Sequence, residues 1–403
     1  MRIALIDLKL NMETGGGGNY QLHLTATQLV KLGHVVRVIT LFPSLNAYPD
    51  DLPYPVFEEG TILNRVDKRY RLGLYSILRR YSSQVDVYHL QNAGLILGAS
   101  IYRSLGGKVP IVANLTGYRF FCTNLARMDA SCYKNCGLIQ RICHKSEGLI
   151  RKTALLPLRV LDYQLGDLLM NQLDAFVALS DAMAEIHSWQ GFNQEKMTVI
   201  PAPIDYEYLS RLKEDYHPKP SQNERYSMLY VGRLSPEKGV DILLKAIPGL
   251  DFPVTLQIAG DGPERDNLER LVRELGIADR VVFHGWTPHE KVFDLLLNSQ
   301  LFVHTPRWIE YFCISELEAM ALGVPMVVSD CGGMASAIED IALTFRRADV
   351  DDLTEKIKLI HGNPSLAMNL AAKAQERAKE FDYSQVTAKY LDIYKDVIRA
   401  AQK

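Results

Sequence analysis

The chain has 403 residues, 47% of them hydrophobic and 23% charged, and a formal net charge of −2. That is the composition of a soluble globular protein long enough for two or three domains with full cores, and it excludes a disordered chain and a broadly basic nucleic-acid binder. No apolar run is long enough to span a bilayer, and Met1 to Ile6 is stopped by Asp7, too short for a secretion signal, so a cytoplasmic location is expected with peripheral membrane contact left open.

The first predicted strand, Ile3 to Asp7, leads through Gly15-Gly16-Gly17-Gly18 into a helix from Tyr20 to Leu32. Backbone amides of such a loop can approach an anion where a side chain would block it; a flexible turn is the alternative. A dinucleotide fingerprint fails, because its third glycine would fall on Tyr20 and the second strand, Val35 to Thr40, ends without an acidic residue to hold a ribose. Strand patterns follow at Val85 to Leu90, Ile111 to Asn114, Ala175 to Leu179 and Thr198 to Ile200, alternating with helices as in a parallel sheet. Between the second and third strands, Lys68 to Tyr75 with Arg79-Arg80 is either a membrane-facing basic surface or a solvated helix face. Cys122, Cys132, Cys136 and Cys143 crowd one stretch, and their spacing matches no zinc motif with two tight Cys-x2-Cys knuckles. A structural metal, local disulfides and free thiols all remain, and no metal is assigned.

Prolines at 201 and 203 and the polar loop His217 to Asn223 mark a domain boundary. The expected division is an N-terminal domain of residues 1–205, a C-terminal domain of 206–382, and a last helix, 383–403, folding back on the first domain. The second strand series opens with Met228 to Val231, followed by Gly232-Arg233-Leu234-Ser235-Pro236-Glu237-Lys238-Gly239. Ser235 reads as an N-cap and Pro236 as the first residue of a helix carrying Val240 to Leu244, which places Lys238 in the first turn. A lysine at that positive end is unfavourable unless it shares an anion, a diphosphate being the obvious candidate. The alternative is a solvated surface pair. Ile258 to Pro263 and Phe283 to Trp286 end two further strands in glycine turns. Glu310 precedes a helix, Ser315 to Leu322, whose leading amides at 312–314 can bind hydroxyls or phosphate. Glu318 can accept two ribose hydroxyls, but Ser315-Glu316-Leu317-Glu318 is also a capping box, and on the helix pattern alone capping wins. Asp349-Val350-Asp351 reads as a cap for the helix Leu353 to Ile360.

Taken in order, the glycine loop with Gly33-His34, Gly232-Arg233 with Lys238-Gly239, Gly260-Asp261-Gly262-Pro263, and the Glu-x7-Glu pattern from Glu310 to Glu318 resemble the family-4 retaining glycosyltransferases over nearly the whole chain. The resemblance implies an α/β chain of the GT-B fold, two doubly wound Rossmann-like domains facing across a cleft. It implies transfer of a sugar from a nucleoside-diphosphate donor to a hydroxyl of a glycan, lipid-linked or small-molecule acceptor, with no cofactor, no metal and no nucleic acid. Arg233 and Lys238 would hold the diphosphate, Glu318 the ribose, Glu310 the sugar hydroxyls, and the amides of Phe312, Cys313 and Ile314 the sugar and phosphate. Gly16, Gly17 and Gly260 would line the donor site, His284 and Trp286 the base, and His89, Asn114 and Thr116 the acceptor side. Cys313 stands where the family has glycine, Thr116 where it commonly has histidine, Ala202-Pro203 for Asn-Gly and Ala335-Ser336 for Pro-Glu. Two other functions stay open: a catalytically silent sugar-nucleotide or glycan binder, and a sugar-nucleotide epimerase of the same fold.

Overall fold

The computed structural model describes residues 1–13, 16–60, 71–117, 168–217, 225–331, 333–334 and 337–402, with the side chains of 71 and 72 excepted. Gly15, the four clustered cysteines, Lys68 to Tyr70, and Ala335-Ser336 lie outside the described residues.

The chain forms two compact units, Met1–Pro203 together with Tyr383–Lys403, and Ile204–Asp382. In the first, seven strands pair in parallel: β1 (Arg2–Asp7), β2 (Val35–Thr40), β3 (Val56–Glu58), β4 (Val87–Leu90), β5 (Ile111–Asn114), β6 (Ala175–Ala178) and β7 (Met197–Val199), in spatial order β3-β2-β1-β4-β5-β6-β7. The second unit has six, β8 (Tyr226–Val231), β9 (Val254–Ala259), β10 (Val281–Gly285), β11 (Leu301–His304), β12 (Met326–Ser329) and β13 (Leu343–Phe345), ordered β10-β9-β8-β11-β12-β13. In both sheets the chain order reverses beside the first strand, at β1/β4 and at β8/β11, and the carboxyl ends of strands at such a reversal are where α/β sheets place ligands.

The apolar runs Leu301 to Val303 and Met326 to Val328 have no polar alternate because both faces are covered. In the second unit Met228, Tyr230, Leu301, Val303 and Val327 pack with Leu243, Val272 and Leu353 on one face. The alternate residues Leu229, Phe302, Met326 and Val328 pack with Leu296, Leu317, Met320 and Ala374 on the other. Helices on both faces make this a doubly wound sheet.

The last helix, Tyr383–Ala401, belongs to the first unit, burying Val386, Tyr390, Tyr394 and Val397 against Ile3, Leu5 and Val36. Their helical spacing puts them on one face. Where the chain enters and leaves the second unit it is tied to itself: Ile204 N donates to Phe381 O at 2.9 Å and Tyr206 N to Asp382 Oδ2 at 3.2 Å. No helix among the described residues is long and apolar enough to cross a membrane.

Candidate functional site

At the carboxyl end of the second sheet, the loops after β8, β9 and β11 meet backbone to backbone. Gly232 N donates to Ala259 O at 3.0 Å, and Leu234 N to Asp261 O at 2.9 Å. A Cβ on Gly260 would lie 1.9 Å from Gly232 O, and one on Gly239 would lie 2.2 Å from Thr305 O, with Gly239 at φ +63° besides. Both positions therefore require glycine.

The segment after Arg233 differs from expectation. Ser235 and Pro236 open a single 3₁₀ turn, Pro236–Lys238, and the helix Val240–Ala246 starts only after left-handed Gly239. Lys238 thus closes the turn instead of sitting in an α-helical first turn, because the chain must pass close beneath Thr305 before it can wind. Ser235 makes no capping bond, and its Oγ is buried with no partner among the described residues.

Four charges then alternate. Lys238 Nζ donates to Glu310 Oε1 at 2.5 Å. The second Glu310 oxygen accepts from Trp308 Nε1 at 3.2 Å and lies 3.8 Å from His304 Nε2. His304 Nδ1 stands 2.5 Å from Glu316 Oε1. Glu310, His304 and Glu316 are all buried. Burial works against the Glu310 carboxylate, but Lys238 and His304 outweigh it and hold its pKa below the usual value. Burial likewise opposes the Lys238 ammonium, and Glu310 prevails and raises its pKa. His304 follows the same logic: burial lowers its pKa, while Cys313 and Glu316 raise it to about 10, which favours the imidazolium. Arg233, 55% exposed, donates from Nη2 to the buried Glu237 Oε1 at 3.0 Å. Both expected cations therefore face carboxylates of the protein, and an incoming anion must share or displace them.

The helix Ile314–Leu322 starts one residue before the expected Ser315, with Cys313 at its N-cap in extended backbone. Ser315 is then inside the helix, where its hydroxyl donates to Val231 O at 3.3 Å, so the capping box does not form. Glu318 instead sits 3% exposed with Oε1 3.3 Å from His289 Nδ1. That carboxylate, against the cost of burial, raises the His289 pKa. The Cys313 side chain turns inward, its sulfur 3.2 Å from Ser315 Oγ and 3.9 Å from His304 Nε2, while Phe312 and Ile314 are half-buried. His284 and Trp286 are exposed at the end of β10, His284 Nε2 being 3.2 Å from Gln257 Oε1. Among the described residues His304, Cys313 and Glu316 are the one set whose donor atoms cluster as metal ligands do, all within 4.8 Å. The His304 nitrogen nearest Glu316 is already committed to that carboxylate, so the set is an ion pair and not an open coordination site.

In the first unit the helix Gly17–Lys31 begins earlier than expected, with Gly16 as its N-cap, so Gly16 and Gly17 are the helix N-terminus itself. Two acceptor-side expectations fail. His89 is fully buried, its Nε2 2.8 Å from Asn114 Oδ1 and its Nδ1 2.6 Å from the Tyr394 hydroxyl. Asn114, 3% exposed, also donates to Gln91 Oε1 at 3.0 Å and accepts from Tyr390 at 3.3 Å. These side chains join β4 and β5 to the last helix and are turned into the core, away from any ligand. Thr116 is half-buried and donates to Gln91 O at 3.0 Å. Asp349 does cap the helix Val350–Gly362, accepting from Asp352 N at 3.0 Å.

Sequence reasoning missed His304, Glu316, Trp308 and His289. The usable signal was a histidine closing the otherwise apolar Leu301-Phe302-Val303, and a glutamate beside Leu317, Ala319 and Met320 on a helix that had to be buried.

Comparison with known proteins supplies the context. A family model described as Glycosyltransferase Family 4 matches residues 15–208, and one described as Glycosyl transferases group 1 matches residues 213–380. Alpha-D-kanosaminyltransferase of Streptomyces kanamyceticus is 30% identical over 184 residues, 43% of this chain and 47% of that protein. This chain thus spans about half the length of that relative. A phosphatidylinositol N-acetylglucosaminyltransferase GPI3 subunit of Saccharomyces cerevisiae is 21% identical over 95% of this chain and 80% of its own. The crystal structure of Anabaena Alr3699/HepE in complex with UDP and glucose superposes with a TM-score of 0.72 at 18% identity, covering 98% of this chain and 100% of that one. At that identity the likeness concerns the fold, which is GT-B: two Rossmann-like units, each built on a parallel sheet.

Proposed function

The chain belongs to the family-4 glycosyltransferases, and we propose that it moves a sugar from a nucleoside-diphosphate donor to an acceptor hydroxyl with the anomeric configuration retained. The observation that carries this is the pairing of Lys238, whose side chain is 16% exposed, with the buried Glu310 at the β8/β11 reversal, with the Arg233 guanidinium on the same loop. A diphosphate offers Lys238 and Arg233 stronger acceptors than Glu310 and Glu237 do, and the amides opening the helix at Ile314 add their dipole. The exchange frees the Glu310 carboxylate to accept hydrogen bonds from the sugar. Glu318, steadied by His289, accepts the two ribose hydroxyls.

As the glycosidic bond to phosphate lengthens, negative charge grows on the diphosphate, and cations already fixed in place stabilise it without reorganising. Two cations and a helix N-terminus suffice for this, so the proposed transfer is metal-independent. The departing phosphate oxygen takes the acceptor proton on the same face of the sugar, which retains configuration with no nucleophile from the protein. The acceptor is left as a hydroxyl compound, and the proposed location is the cytoplasm. A silent binding protein is the second reading, favoured by the two cations being engaged by the protein's own carboxylates.

Thermal denaturation with UDP, GDP or ADP tests the donor half; a diphosphate at a hundred times its dissociation constant adds about 2.7 kcal/mol. Arg233→Ala is expected to cut kcat/KM for donor turnover about 10²- to 10³-fold. Unchanged turnover in that variant, or no stabilisation of the wild type by any of the three, refutes the proposal. Stabilisation without turnover of a bound nucleotide sugar establishes the silent reading instead.

A further inference from the structure

Exchange of Lys238 from Glu310 to a diphosphate, the step on which the proposed function rests, leaves a carboxylate in a buried place. An uncompensated buried carboxylate takes up a proton or swings away, and either change would cost the sugar its acceptor. Two groups stay behind. The Trp308 indole N–H remains at 3.2 Å, but it carries no charge. The His304 ring remains at 3.8 Å, fully buried at the end of β11, and its other nitrogen is fixed 2.5 Å from Glu316 on the helix Ile314–Leu322. Around the ring, the Tyr230 and Phe302 rings lie tilted with centroids 6.2 and 6.4 Å away, the buried Tyr230 hydroxyl being held protonated by burial, and the Cys313 sulfur lies 3.9 Å from Nε2. A lone buried histidine in such surroundings would be neutral; one clamped to a buried glutamate is not.

We propose that His304, backed by Glu316, is a positioning residue that keeps the Glu310 carboxylate ionised and oriented toward the sugar once a diphosphate has drawn Lys238 away. The arrangement is a strand end and a helix, twelve residues apart, supplying a second, permanent counter-ion from beneath while the ligand competes for the first from above. It also accounts for Cys313: the sulfur fills the space beside the imidazole.

Three measurements on the full chain test it. The first is a folding cycle. Lys238→Met and His304→Gln combined should lower the folding constant about tenfold more than the product of the single effects, because only together do they strand Glu310. Multiplicative effects overturn the proposal. In the second, nitrogen-15 spectra of labelled histidine should show His304 carrying both ring protons at neutral pH in the wild type and losing one in Glu316→Gln; a neutral His304 in the wild type overturns it. In the third, His304→Gln should bind UDP within about threefold of wild type while kcat for UDP-glucose hydrolysis falls about a hundredfold. Equal losses in both would make the pair structural and overturn it. Should His304→Gln fail to fold, Glu316→Gln carries the third measurement. Where the wild type binds GDP or ADP instead, that nucleotide and its glucose conjugate replace UDP and UDP-glucose in the third measurement; failure to bind any of the three counts against the proposed function, and the first two measurements still decide the role of His304.

Discussion

Glu310 is the residue on which the second unit's electrostatics turn. It is 6% exposed, and it is the shared partner of Lys238, Trp308 and His304. Glu310→Gln leaves a largely enclosed ammonium without its carboxylate, a loss on the order of 3 kcal/mol by urea denaturation, and Glu310→Gln combined with Lys238→Met should recover part of it. Because the folded pKa of Glu310 is depressed, its contribution is present above the ordinary carboxylate range near 4.5 and is lost as the pH falls below it. His304 has the opposite sign. Its folded pKa is raised from 6.5 to about 10, so its contribution is complete below 6.5 and is lost as the pH rises through about 10. Urea denaturation from neutral pH to above about 10 should show that loss in the wild type and not in His304→Gln. Arg233, Lys238, Glu310 and Glu318 could be named as candidates because order and spacing along the chain single them out, and the structure pairs Lys238 with Glu310. His304 and Glu316 were not, since what makes them a pair is a strand end meeting a helix, which no local pattern records.

Between residue and fold, the elements at the site obey tertiary contacts over local rules. Ser315 to Glu318 satisfies the capping-box spacing, yet the chain enters that helix from Cys313, so the serine falls inside and Glu318 turns to His289. The Pro236 signal is real, but it starts one 3₁₀ turn, because the close passage of Gly239 under Thr305 interrupts the winding. Strands β3 and β13 escaped notice for a simpler reason: with three residues each they leave no period to detect. Gly260→Ala places a methyl against a carbonyl oxygen of an adjacent loop, and Gly239→Ala adds a strained φ to a similar clash. Each is expected to cost roughly 2–4 kcal/mol, read from the denaturation midpoint, and to weaken nucleotide binding by displacing the Arg233 loop.

The two units carry different buried histidines and should lose stability in opposite directions away from neutral pH. In the first unit, burial lowers the pKa of His89 to about 4 and that of His187 to about 4, so both are neutral in the fold. Their contribution is present above 6.5 and is lost as the pH falls toward 4, about 2 kcal/mol for each by pH 5 at roughly 1.4 kcal/mol per pH unit. Asp7, raised by burial to about 7, offsets part of this because it gains a proton in the same interval. Hydrogen exchange followed by mass spectrometry should therefore show peptides from Met1–Pro203 losing protection first between pH 7 and about 5, before Glu310 titrates, and peptides from Ile204–Asp382 losing it first between pH 7 and about 9, before the first unit's buried tyrosines, whose pKa burial raises, add their own loss. Uniform opening of both units in either interval contradicts this. The sequence alternation had made the two parallel sheets legible, but not the buried polar network of His89, Asn114, Gln91 and Tyr394, because its members lie on separate strands and on a helix hundreds of residues away.

That network has a bearing on how the polypeptide matures. The sheet that starts the chain is completed by its last helix, whereas Ile204–Asp382 is contiguous and already latched where Ile204 meets Phe381. During synthesis the later-made half can therefore reach its native state first, while the earlier-made half waits on the ribosome with Ile3, Leu5 and His89 exposed until Tyr394 emerges. Nascent chains halted just short of that tyrosine should be the ones chaperones hold most tightly.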